Sequence, residues 1–296
     1  MKKRAWKRWG AAGVLGAFLL ALIGCVQTVF SNSPPVPGTE TGQTVTVLLY
    51  HDIAPDASPD TPATVSVRQF EQHLRALSEH GYRIIDMERF RKFILEGASV
   101  PDHAVLITFD DGYQSFYRYA YPILKAAGAT GSVFVIGASS DLYNPDALPH
   151  LTWDEMRELK DNGMGIYNHS YNSHHYGEVS ESGKGGPVLA EPVYLPNRKR
   201  METDEEFRRR AGSDLAFMEK RLSEELGEAP GIMAIPYGAY NRVLLEEGRK
   251  AGISMFFTTE EGAAGPGRQE IPRINAGEPD MDGEALIAAI RKAAQP

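Results

Sequence analysis

"HAVLITFDDG" (His103–Gly112) runs through uncharged, largely apolar residues and stops on two adjacent carboxylates and a glycine. The stretch from Ala104 to Phe109 has the length of a strand rather than a helix, and it lacks the alternation of a strand wetted on one face. Such a strand belongs to a parallel sheet with both faces covered. Sheets of that kind carry their chemistry at the C-terminal ends of the strands, where Asp110 and Asp111 stand.

The same grammar repeats on either side. "VTVLLYHDI" (45–53), "YRIID" (82–86), "TGSVFVIG" (130–137), "MGIYNHS" (164–170), "IMAIPYG" (232–238), "SMFFTT" (254–259) and "IPRINA" (271–276) read as short strands. Amphipathic helices alternate with them. Phe70, Leu74 and Leu77 share a face; Gly97 closes "MERFRKFILEG"; Pro122 restarts a helix; Thr152 and Glu155 form a capping box. The expected class is α/β, a parallel sheet with helical crossovers, closed into a barrel or open. Residues 176–200 read as an irregular stretch, longer than structural loops usually are, which suggests a functional role. Polar residues follow the strands: His51-Asp52, Asp110-Asp111, Asn168-His169 and Pro236-Tyr237-Gly238.

At 296 residues and 42% hydrophobic the chain is most simply one domain with a sizeable core. The expected division is an export or anchor segment over 1–30, a Pro-rich tether over 31–43 and a single domain over 44–296. The first eight residues hold five cations, and the remainder carries 26 basic against 39 acidic side chains. That balance argues against nucleic acid as a partner. The basic start followed by an uncharged apolar stretch is the layout of an export signal. "LIGC" (Leu22–Cys25) resembles a bacterial lipoprotein lipobox, with Cys25 the chain's one cysteine. An uncleaved spanning helix over Gly10–Phe30 is the other reading. Either one places the domain outside the cytoplasm, held at a membrane surface.

The chemistry lies in two stretches. In "TFDDG" (108–112), side-chain alternation turns the two carboxylates different ways, so one can ligate a metal while its neighbour stays free as a base. "NHSYNSHHY" (168–176) holds three of the chain's eight histidines. Neutral imidazole is the commonest metal ligand, and two histidines with one carboxylate suit a divalent ion. His169 and His174 are five apart and need a turn between them; His175 is an alternative ligand to His174. His73, His80, His103 and His150 read as solvated.

"TFDDG", "NHSYNSHH" and "IPYGAYN" resemble the polysaccharide deacetylase (NodB-homology) family, the metal-dependent family-four carbohydrate esterases. The resemblance covers roughly residues 45–295 and implies a distorted (β/α) barrel, often of seven strands. It implies Asp110 as catalytic base and Asp111, His169 and His174 as ligands of a divalent metal, Zn first, with Co, Ni, Fe or Mn admitted. The five-residue histidine spacing, "RMETDEEFRRR" and "PYGAYN" resemble the branch acting on poly-β-1,6-N-acetylglucosamine. That implies deacetylation of an exported biofilm polymer by a monomer.

Two departures from the family stand out. The arginine expected before Pro-Tyr-Gly is missing from "GIMAIPYG", and Arg273 is the expected substitute. No histidine follows His175, so His51 is the expected catalytic acid. The Tyr237 N–H would hold an oxyanion, and Tyr113, Trp153 and Tyr171 would stack on sugar rings. The alternatives are a deacetylase of β-1,4 polymers such as peptidoglycan or chitin, and a metal- or glycan-binding module without turnover.

Overall fold

The structure, a computed structural model, describes residues 43–55, 63–278 and 280–294. The expected export segment and positions 31–42 of the tether lie outside the described residues.

Ten strand segments make the main sheet. In chain order they are β1 (Val45–Tyr50), β2 (Arg83–Ile84), β3 (Ala104–Phe109), β4 (Ser132–Val135), β5 (Gly165–Asn168), β6 (Ile232–Ala234), β7 (Met255–Phe257), β8 (Ala263–Ala264), β9 (Glu270–Ile271) and β10 (Ile274–Asn275). β1 and β3 to β7 lie side by side in that order, all parallel. The seventh stave is the 270–275 segment, broken in the middle. Its first half, β9, pairs with β7, and its second half, β10, pairs with β1, so the sheet curls into a nearly closed barrel. Pro272 sits in the break, where a residue without an N–H costs no ladder bond. Arg273 follows it, at the seam. The short β2 and antiparallel β8 extend the edges.

Alternation along the strands sorts the core. Val45, Val47, Leu106, Phe134, Ala234 and Phe257 pack together with Phe90, Phe93 and Ile94 of helix α2 (Met87–Glu96). This is the barrel interior. The intervening residues, among them Leu48, Tyr50, Ile107, Phe109 and Val133, pack against α1 (Val67–Glu79), α3 (Tyr121–Ala126), α5 (Trp153–Asp161) and α8 (Gly283–Ala293). Met233, Ile235 and Phe256 pack instead under α6 (Asp204–Leu226) and α7 (Arg242–Lys250). The short α4 (Gly137–Asp141) follows β4. Capping boxes open α5 at Thr152 and α6 at Thr203, each closing two of the N–H groups a helix start leaves free.

The 176–200 stretch differs from expectation. It folds into two small antiparallel ribbons, Tyr176–Glu178 with Gly185–Pro187 and Tyr194–Leu195 with Arg200–Met201. Arg210 of α6 fastens them through Glu202 and the carbonyls of Val188 and Glu191, contacts that local sequence cannot reveal. His73 is not solvated either. It is fully buried between the Tyr50 hydroxyl at 2.9 Å and the Met281 carbonyl at 2.7 Å. Among the described residues no helix is long and apolar enough to cross a membrane.

Candidate metal and catalytic site

The C-terminal ends of β1, β3, β5 and β6 and the 270–275 seam meet at one mouth of the barrel. Asp110 and Asp111 turn different ways there. Asp110 is buried against Arg273, whose two terminal nitrogens meet its two oxygens at 2.7 Å each. Arg273 is itself fully buried, its Nε donating to the Thr258 carbonyl and its guanidinium lying over the Phe134 ring. A bidentate guanidinium–carboxylate pair is among the strongest charge-assisted contacts. Burial alone would raise the Asp110 pKa, yet Arg273 and the neighbouring histidines hold it below the usual carboxylate range.

Asp111 adopts a left-handed φ of 71°, so the chain turns sharply and its carboxylate meets the histidines. Its Oδ1 stands 3.4 Å from His169 Nε2 and 3.2 Å from His174 Nε2. His169 Nδ1 lies 2.9 Å from the Ala234 carbonyl, which can only accept, so Nδ1 carries the proton. In a neutral His169 ring, Nε2 then faces Asp111 with a lone pair. Asp111 Oδ1 is buried and has no hydrogen-bond donor. Acceptors converging this closely fit a cation between them, and a backbone-oriented histidine beside a carboxylate is the usual support of a metal ligand. One donor atom from each of Asp111, His169 and His174 lies within 4.8 Å of the others. Burial pushes the His174 pKa down to about 4, which keeps its ring neutral and ready to ligate. His175 stands outside this group.

Other side chains hold the histidine turn. Asp214 of α6 accepts from the Tyr171 and Asn172 amides, 2.9 Å each, and from the Ser173 hydroxyl at 2.8 Å. Asn168 accepts from the Ser170 amide at 2.7 Å and donates to the buried Glu219 of α6 at 2.8 Å. Burial raises the Glu219 pKa. Neither carboxylate figured in the sequence reading. The signal for Glu219 was an acid beside the apolar stripe of Leu215, Met218 and Leu222.

His51 follows β1 at the same barrel mouth as Asp110 and Asp111. Its Nδ1 is buried without a protein partner among the described residues. Tyr237 sits in a tight turn at φ 59°, its ring 4.5 Å from that of His174. Tyr113 lies beside Asp111; burial, with the Asp111 charge adding to it, raises the phenol's pKa, and its ring lies tilted against that of His150, centroids 5.0 Å apart. His150 is therefore a rim residue rather than a free one.

Trp153 and Tyr171, expected to stack on sugar rings, are half-buried and tied into the helices around them. The Trp153 indole N–H and the Tyr171 hydroxyl both donate to Asp141, Arg221 lies over the indole, and Phe217 abuts the phenol ring.

A family model described as polysaccharide deacetylase matches residues 97–256, more than half of the chain. The chain belongs to the polysaccharide deacetylase family. Members hydrolyse amide bonds, and the barrel and the Asp111–His169–His174 group fit that membership. A curated relative, the poly-β-1,6-N-acetyl-D-glucosamine N-deacetylase of Escherichia coli K12, is 30% identical over 239 residues. The match covers 77% of this chain and only 36% of that relative's length. A de-N-acetylase from Aggregatibacter actinomycetemcomitans shares the fold with a TM-score of 0.75 at 24% identity, over 83% of this chain and all of that one. IcaB from Ammonifex degensii matches at 0.68 and 26% identity, over 86% of this chain and 98% of that one.

Proposed function

We propose that this deacetylase hydrolyses the N-acetyl groups of poly-β-1,6-N-acetyl-D-glucosamine, releasing acetate and leaving glucosamine units on an exported biofilm polymer. The observation that carries the reading is the Asp110–Arg273 pair beside the three-residue metal group. It supplies an ionised base next to a place for a Lewis acid. The named substrate of the E. coli relative supports the choice of polymer.

A divalent ion held by Asp111, His169 and His174, with zinc the first choice, would acidify water and polarise the acetamide carbonyl. Asp110 takes the proton of the attacking water, its charge kept available by Arg273. The Tyr237 N–H, on a turn held at an unusual φ, faces the developing oxyanion. His51 gives a proton to the leaving amine, and the C–N bond breaks to free acetate. The amine product is cationic, so the modified polymer binds anionic surfaces more strongly. The apolar N-terminal segment would keep this chemistry at the outer face of a membrane, through a lipid on Cys25 or a spanning helix.

The test is acetate release from β-1,6-linked N-acetylglucosamine oligomers by metal-stripped protein reloaded with single divalent ions, beside Asp110→Asn and His51→Ala. Metal-dependent release that vanishes in Asp110→Asn is expected, with His51→Ala losing about 10²–10⁴-fold in kcat. Activity on β-1,4 oligomers alone would overturn the choice of polymer. Bound metal and oligomer without release from either would mean a binding module.

A further inference from the structure

Tyr176 and Tyr237 come from segments 61 positions apart and meet as a T-shaped pair at the rim of the metal group, ring centroids 4.6 Å apart at 68°. Tyr176 is 59% and Tyr237 40% exposed, whereas most aromatic rings among the described residues are covered or half-buried. Neither hydroxyl makes a hydrogen bond among the described residues. Both rings are held in place. Tyr237 leans on His174 and keeps a left-handed φ of 59° that non-glycine residues seldom adopt. The next residue must be glycine, because a Cβ on Gly238 would lie 2.0 Å from Thr259 Oγ1. Tyr176 begins the first ribbon of the 176–201 stretch, paired with Pro187.

Rigid, exposed rings with free hydroxyls suit a ligand that is apolar on its face and polar at its edge. A pyranose ring is such a ligand: its C–H face packs on the aromatic face while its hydroxyls reach outward. Backbone strain retained beside a catalytic centre is itself a pointer to a function. We infer that Tyr176 and Tyr237 form a subsite for the sugar ring next to the one being deacetylated, so that the enzyme prefers oligomers over single units. The 176–187 ribbon thereby acquires a role, as the carrier of one wall of this subsite. The inference rests on the proposed function for its substrate class.

The experiment compares the full-length, metal-loaded wild type with Tyr176→Ala and Tyr176→Trp on single N-acetylglucosamine units and on the β-1,6 hexasaccharide, reading kcat and KM separately. Calorimetric binding of the hexasaccharide runs alongside. Tyr176→Ala is expected to lose about tenfold more in kcat/KM on the hexasaccharide than on the single unit, chiefly through KM, and Tyr176→Trp to keep the length preference. Equal losses at both lengths, or no loss, would overturn the subsite. Should the protein bind hexasaccharide without releasing acetate, weaker binding by Tyr176→Ala upholds the subsite while the deacetylase reading falls. Unchanged binding, or no binding by the wild type, sinks the subsite too.

Discussion

Arg273 grips both carboxylate oxygens of Asp110 at 2.7 Å across 163 positions of sequence. The seam of the barrel makes the contact. Residues 270 to 275 must leave β7 and join β1, and the break between the two pairings turns Arg273 toward the end of β3. The arginine that the family's third motif usually supplies from beside Pro-Tyr-Gly thus has a counterpart arriving from another strand.

Removing Arg273 should leave a buried, unpaired charge. Arg273→Met is expected to cost about 3–5 kcal/mol of stability, the range for breaking a buried pair from one side. Arg273→Lys should fall between that and the wild type, because an ammonium keeps the charge but loses the two-pronged geometry. Urea unfolding curves of the three proteins measure this. Equal midpoints would mean the pair contributes nothing to the fold.

Asp214 touches no metal ligand, yet it holds the amides of Tyr171 and Asn172 and the hydroxyl of Ser173, just before His174. Asp214→Ala should weaken metal binding about 10- to 100-fold, the usual effect of losing an outer support. Competition against a chelator of known affinity reads it. The d–d spectrum of the cobalt form should also change as His174 loosens.

Glu219 carries a pKa raised above its ordinary 4.5 by burial. A raised value means the protonated form is the one the fold favours. That stability is fully present below about 4.5 and is lost as the pH climbs through the folded-state value. Glu219→Gln keeps an acceptor for Asn168 and cannot ionise. It should gain on the wild type as the pH rises through this window, in unfolding free energies taken across a pH series. Parallel curves would mean that the fold leaves the Glu219 pKa unshifted.

The adjacent histidines should separate cleanly. His174→Ala is expected to abolish stoichiometric metal binding and activity, whereas His175→Ala should retain both, since only His174 Nε2 reaches Asp111. Metal content after dialysis and acetate release decide it; the opposite pattern would mean the turn is shifted by one residue.

Much of the site was legible in the chain because it depends on local order. Apolar runs of strand length end on polar residues, so Asp110, Asp111 and His169 were bound to gather at one end of a parallel sheet. The surroundings of Trp153 and Tyr171 were not legible, because an aromatic residue near a motif carries no sign of which way its ring faces. Asp141 and Arg221, the groups that engage them, lie 12 and 30 or 50 and 68 positions away.

The sequence by itself determined the α/β class, the alternation that separates barrel interior from helix-facing surface, and the carboxylate and imidazole chemistry at the strand ends. These follow from residue type and short-range period. The tertiary structure alone decided the two-pronged geometry by which Arg273 meets Asp110, that His174 and not His175 faces Asp111, that α6 braces the histidine turn, and that Tyr176 joins Tyr237 at the rim. Each of those depends on where closing a barrel brings distant segments together, a distance that no local pattern encodes.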